Sequence, residues 1–253
     1  MKKTTIGVVL LALLLGGCQS SGESGGNKDI LFQYSTLGSL MAGVYDGDIT
    51  SGELKTHGDL GLGTFNALDG EMIEVDRQVY QIKSDGVAYS VDDKMKAPFA
   101  VVTYFEPDQT VQAVEPMSCG QLRDYLDTLL PTENIPYAIK ITGTFGSVRT
   151  RSVPRQEKPY PRLLDVLATQ PTFELQQVEG VMLGFRLPGY MDVANAPGYH
   201  FHFITADRHA GGHVLECQVQ AVTAEIDHTG QWYTVLPADD AFYQVDISSD
   251  EYR

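Results

Sequence analysis

Gly198-Tyr199-His200-Phe201-His202-Phe203 leads through Ala206-Asp207-Arg208-His209-Ala210 to Gly211-Gly212-His213, placing four of the six histidines close together. On a strand, residues two apart share a face, so His200 and His202 project together while Phe201 and Phe203 project to the other side. The polar, glycine-bearing segment between them predicts a hairpin loop that returns the strand starting at His213 beside the first. Simple alternation then puts His213, Leu215, Cys217, Val219 and Ala221 on one inward face, with Val214, Glu216, Gln218 and Gln220 on the other. Three converging imidazoles with no fourth strong protein ligand form the pattern of a catalytic metal site with an open position. Burying them without a metal would leave polar nitrogens to satisfy, which weighs against a purely structural role. His209 in the loop, His57 and His228 read as solvated turn residues.

Outward from the hairpin the chain is mostly short alternating or apolar runs separated by turns. Strands are expected over 79–83, 87–91, 99–105 and 137–143, rich in β-branched and aromatic residues. Helical signals are few. Ser118 precedes a segment in which Leu122, Leu126, Leu129 and Leu130 repeat at helical spacing until Pro131 ends it, and shorter helices are expected over 36–41 and 161–168. These signals describe a mainly β protein with a few helices, of the α+β class, its sheets mixed or antiparallel.

Met1-Lys2-Lys3, the apolar stretch Ile6 to Leu15 and Leu15-Gly16-Gly17-Cys18 have the layout of a bacterial lipoprotein signal. Residues 1–17 are expected to be removed, leaving Cys18 as a lipidated N-terminus and residues 18–28, rich in Ser and Gly, as a flexible tether. The chain is then an exported, membrane-anchored lipoprotein of the cell envelope. Its formal net charge of −15 argues against nucleic acid as a partner and leaves the lipid as the one attachment to a membrane. Cys119 and Cys217 can pair in an oxidising compartment, but two cysteines make no disulfide framework, and Cys217 reads as a small core residue.

The sequence as a whole resembles the alpha-acetolactate decarboxylase family from about Leu31 onward. The likeness rests on Gly58-Asp59-Leu60-Gly61-Leu62-Gly63-Thr64-Phe65-Asn66-Ala67-Leu68-Asp69-Gly70-Glu71, on Thr150-Arg151-Ser152-Val153-Pro154 and the residues to Tyr160, and on the histidine hairpin, in that order. It implies a two-domain β architecture, barrel-like in part, with the active site between the domains. On this chain those are an N-terminal β-rich domain over 29–175 and a C-terminal β domain over 176–253 that carries the hairpin. The resemblance also implies a homodimer, 2-acetolactate as substrate, and zinc on His200, His202 and His213. Glu71 and Arg151 match the family's active-site glutamate and arginine, Thr64 matches a threonine lining the pocket, and Glu251 is the nearest match to a further carboxylate from the C-terminal tail.

The chemistry gives these residue types a reason. Losing CO2 from a 2-hydroxy-3-oxo acid pushes an electron pair toward the ketone, so the barrier is set by the enediolate. A divalent cation on neutral imidazoles keeps its full charge to stabilise that anion. A proton delivered to one face then gives chiral acetoin, which calls for a positioned acid; Glu71 and Arg151 are the candidates, and the favoured division gives anion binding to Arg151 and proton handling to Glu71, directly or through water. Two other readings compete. A cupin-like metal enzyme also begins its site with His-x-His, but its glutamate is missing between His202 and His213. A non-catalytic zinc-binding lipoprotein would have little use for Glu71 and Arg151.

Overall fold

The computed structural model describes residues 29–247, and the signal segment, Cys18, the tether and Glu251 lie outside them. In chain order the elements begin with β1 (Ile30–Tyr34), α1 (Leu37–Met41), β2 (Ile49–Thr50), α2 (Ser51–Leu54), β3 (Leu60–Thr64), β4 (Glu71–Val75) and β5 (Gln78–Ile82). Next come β6 (Ala88–Ser90), β7 (Lys96–Ala97), β8 (Phe99–Thr103), β9 (Gln109–Ala113), β10 (Met117–Ser118) and α3 (Cys119–Asp127). The long strands follow: β11 (Tyr137–Arg151), α4 (Leu163–Leu167), β12 (Thr172–Leu187), β13 (Gly198–Thr205) and β14 (Gly211–His228), then β15 (Gln231–Val235) and α5 (Asp240–Gln244). The mainly β reading holds, and the three expected helices are present. Thr36 caps α1 by accepting from the Ser39 amide, and Ser118 with Gln121 forms a reciprocal capping box on α3.

Seven strands form the first sheet, ordered β15-β1-β8-β3-β4-β5-β6, with β15 parallel to β1 and the remaining pairs antiparallel. The second unit is antiparallel. β13 pairs with β12 on one side and β14 on the other, so β14-β11-β12-β13 closes on itself, with β9 and β10 attached to β14. Phe145, Val148, Met182, Phe201, Phe203, Cys217 and Val219 fill the inside of this small barrel, which α3 covers with Leu122 and Leu126. Its outer face packs on the first sheet: Leu183, Phe185 and Ile204 meet Leu60, Leu62, Ile73, Val75 and Val101 in a shared core. A third cluster, including Phe32, Met72, Ala100 and Val102, lies on the far face of the first sheet.

Three sequence expectations need correction. The boundary expected between residues 175 and 176 falls inside β12, and neither unit is continuous in sequence: β9, β10 and β11 belong to the barrel, while β15 returns to the first sheet. The alternation expected after His213 breaks at once. β11 pairs Arg149 with Glu216 and Thr150 with Val214, so Leu215 is an extra residue in a bulge and the parity of the strand shifts there. Cys217 therefore points into the barrel while His213 points out of it. Finally, Cys217 is not a free core thiol: it is bonded to Cys119 at the start of α3.

Candidate active site

The hairpin geometry is as the strand pattern requires. His202 lies directly opposite His213, and His213 directly opposite Arg151, so three adjacent strands present these side chains on the outer face of the barrel. His200, two residues from His202, joins them beside Phe185 of β12. From the first sheet comes Glu71, the opening residue of β4, paired with Thr64 at the end of β3. It follows Gly70, whose φ of 85° falls in the region that favours glycine. The Thr64 hydroxyl donates to the Gly70 carbonyl at 2.6 Å, so Thr64 both lines the pocket and holds the turn that delivers Glu71.

All the matched residues within the described segment therefore meet in one pocket between the two β units. Glu71, Arg151, Thr64 and the three histidines form its polar side. Leu37 and Leu40 of α1, Leu68, Phe99, Val153 and Leu163 of α4 form an apolar wall. The sequence flagged the two short helices but not that they close over the site, because apolar helix residues carry no signal of which cavity they will line.

Three ring nitrogens, one from each histidine, lie within 4.8 Å of one another. His202 Nδ1 stands 2.8 Å from the Met72 carbonyl, which can only accept, so Nδ1 carries the proton and Nε2 keeps its lone pair. That Nε2 is buried with no hydrogen-bond partner, 3.5 Å from Glu71 Oε2. His200 Nε2 and His213 Nδ1 are 3.1 Å apart, near the roughly 3.3 Å that ligands on a tetrahedral zinc ion keep at bonds of about 2.0–2.1 Å. An orphaned lone pair, a carbonyl fixing the tautomer and this spacing all fit a divalent metal.

Electrostatics agree with neutral ligands. Burial pushes His200 down to about 4, with the Arg151 charge adding to the effect, and it drives His202 and His213 well below the usual imidazole range. Glu71 accepts from Arg151 Nη1 at 3.0 Å, yet burial still raises its carboxyl above the ordinary value, the guanidinium pulling the other way. Of the histidines set aside, His209 is exposed in the loop. His57 is less solvated than its sequence context suggests, its ring stacked on Phe32 with centroids 3.8 Å apart. His228 is half-buried, its ring edge-on to Tyr137.

The comparisons with known proteins point one way. A family model described as alpha-acetolactate decarboxylase matches residues 31–249. An alpha-acetolactate decarboxylase of Methanosarcina mazei is 48% identical over 220 residues, 87% of this chain and 76% of that protein. One from Methylococcus capsulatus is 47% identical over 221 residues, covering 87% and 85% of the two chains. The crystal structure of the enzyme from Bacillus subtilis strain 168 superposes with a TM-score of 0.86 at 37% identity, over 88% of this chain and 95% of that one. A family model that spans most of the chain and relatives at this level of identity and coverage show that this chain belongs to the alpha-acetolactate decarboxylase family.

Proposed function

We propose that this chain converts (S)-2-acetolactate to (R)-acetoin and CO2 with a zinc ion on His200, His202 and His213. The observation that carries the reading is the convergence of the three neutral imidazoles with the Arg151–Glu71 pair in one buried pocket. Zinc, when bound, supplies Lewis-acid stabilisation of the substrate's hydroxyl and ketone oxygens. Arg151 binds and orients the substrate carboxylate, and the apolar wall of α1 and α4 takes the two methyl groups and keeps water out. When the C–C bond to the carboxylate breaks, its electron pair passes to the neighbouring carbonyl and gives the enediolate. The product gains one proton on carbon. Glu71, whose buried carboxyl holds a proton more readily than an exposed one, delivers it from the β4 side of the pocket, directly or through one water.

Three further expectations belong to this reading. Glu251 is the residue that the family resemblance offers as a further carboxylate for the site. Export and lipidation at Cys18 agree with the Cys119–Cys217 bond, since such bonds persist in oxidising compartments. The enzyme works as a homodimer, as the family resemblance implies.

The decisive assay gives the folded, zinc-loaded protein 2-acetolactate and measures acetoin colorimetrically with and without a chelator. Acetoin formation that the chelator abolishes and zinc restores is expected. A zinc-binding protein that forms none would leave the non-catalytic reading standing.

A further inference from the structure

Arg151 is flanked by two hydroxyls that reach in different directions. Thr150 Oγ1 donates to the Gly211 carbonyl at 2.9 Å, two residues before His213. Ser152 Oγ donates to the Ile82 carbonyl at 2.7 Å, across to the first sheet. Both side chains are fully buried. Ile82 is not an arbitrary acceptor. It is the direct strand partner of Glu71, its carbonyl lies against Gly70 in the turn before Glu71, and its side chain faces Gly211.

We infer that Ser152 is a positioning residue whose hydroxyl holds Arg151 in register with Glu71 across the two β units. The dipeptide Arg151-Ser152 grips the Glu71–Ile82 pair at two points, guanidinium on carboxylate and hydroxyl on carbonyl. A single ion pair between side chains fixes a distance and leaves rotation free. A second bond, from the next residue to the backbone of the paired strand, fixes how the two backbone segments sit against each other, and with it the direction from which Glu71 meets the planar intermediate.

This inference rests on the proton-handling role proposed for Glu71, and the experiment separates the two. Ser152→Ala and the parent enzyme are compared for zinc content, folded fraction, KM, kcat and the enantiomeric composition of the acetoin formed. The variant is expected to bind zinc one to one and keep KM within about twofold. Its kcat is expected to fall about tenfold, and the minor hand of acetoin to rise. Unchanged kcat and enantiomeric composition in the folded, zinc-loaded variant would overturn it. So would a loss of activity matched by loss of zinc or of folded protein, with the remaining enzyme making acetoin of the parent's hand at the parent's rate. A parent enzyme that makes no acetoin refutes the proposed function instead.

Discussion

Glu71 and Glu74 stand three residues apart on β4 and so face opposite sides of the same strand, both buried. The first has Arg151; the second has no hydrogen bond to either carboxylate oxygen. For Glu71 the expected result of Glu71→Gln is a fall of at least about a hundredfold in kcat and a mixture of acetoin hands, the range lost with a general acid. Near-normal turnover with acetoin of one hand would show that Glu71 is not the proton donor. Arg151→Lys, which keeps the charge but loses the planar fork, is expected to raise KM chiefly. Glu74 is pushed up to about 8 by burial, with Lys55 and Arg77 pulling down and Asp59 pushing up. The unfolded chain releases this proton near the ordinary glutamate value of about 4.3, so between there and about 8 the native state alone holds it. Stability from this group is therefore full below the unfolded value and is lost as pH rises, by roughly 3–5 kcal/mol across the window. Thermal unfolding should show Glu74→Gln more stable than the parent at pH 8.5 and equal to it near pH 4.5; parallel curves at both would refute the assignment.

Among the elements, the β13–β14 hairpin was the most legible, since a two-residue repeat of histidine against phenylalanine fixes which side chains share a face. The bulge at Leu215 was not. An inserted residue shows in a ladder only when the partner strand is known, and β11 lies some sixty residues earlier in the chain. For the same reason Cys217 looked like an inert core residue until its face could be set against α3. That helix is amphipathic and capped, and the Cys119–Cys217 bond ties its first residue to the strand that carries His213. The bridge spans 98 residues of sequence, so removing it frees a long loop of the unfolded chain. Replacing both cysteines by serine should lower stability by about 2–4 kcal/mol. Because the bond lies on the barrel side and the histidines on the other, the specific activity of the folded fraction should be retained. Loss of zinc affinity in the folded double variant would show that the staple also tensions the site.

At the level of the whole molecule, the family motifs pointed to polar residues that the fold gathers in one pocket, but not to the apolar wall opposite them, and the two-unit division was hidden because β15 closes the first sheet from the far end of the chain. The ligand set depends on both units: the three histidines come from the barrel, but the proton on His202 is held by a carbonyl of β4. A metal that binds only this assembled arrangement stabilises the native state, by about 2.7 kcal/mol at a hundredfold excess over its dissociation constant. Chelation is expected to lower the unfolding temperature and zinc to restore it, and an unchanged temperature would mean that the ion is not bound at a folded site. The strand order also fixes which way the molecule looks. β1 and β3 run in the same direction, both antiparallel to β8: Ile30, Leu60 and Thr103 gather at one end of the sheet, while Tyr34, Thr64 and Phe99 gather at the other, with α1 just beyond. The chain joins the sheet at the first end and the pocket lies at the second, a strand length of roughly 17 Å away. A tether over residues 18–28 would therefore meet the sheet at the end away from the pocket, so that attachment there would leave the route of substrate to the site unobstructed.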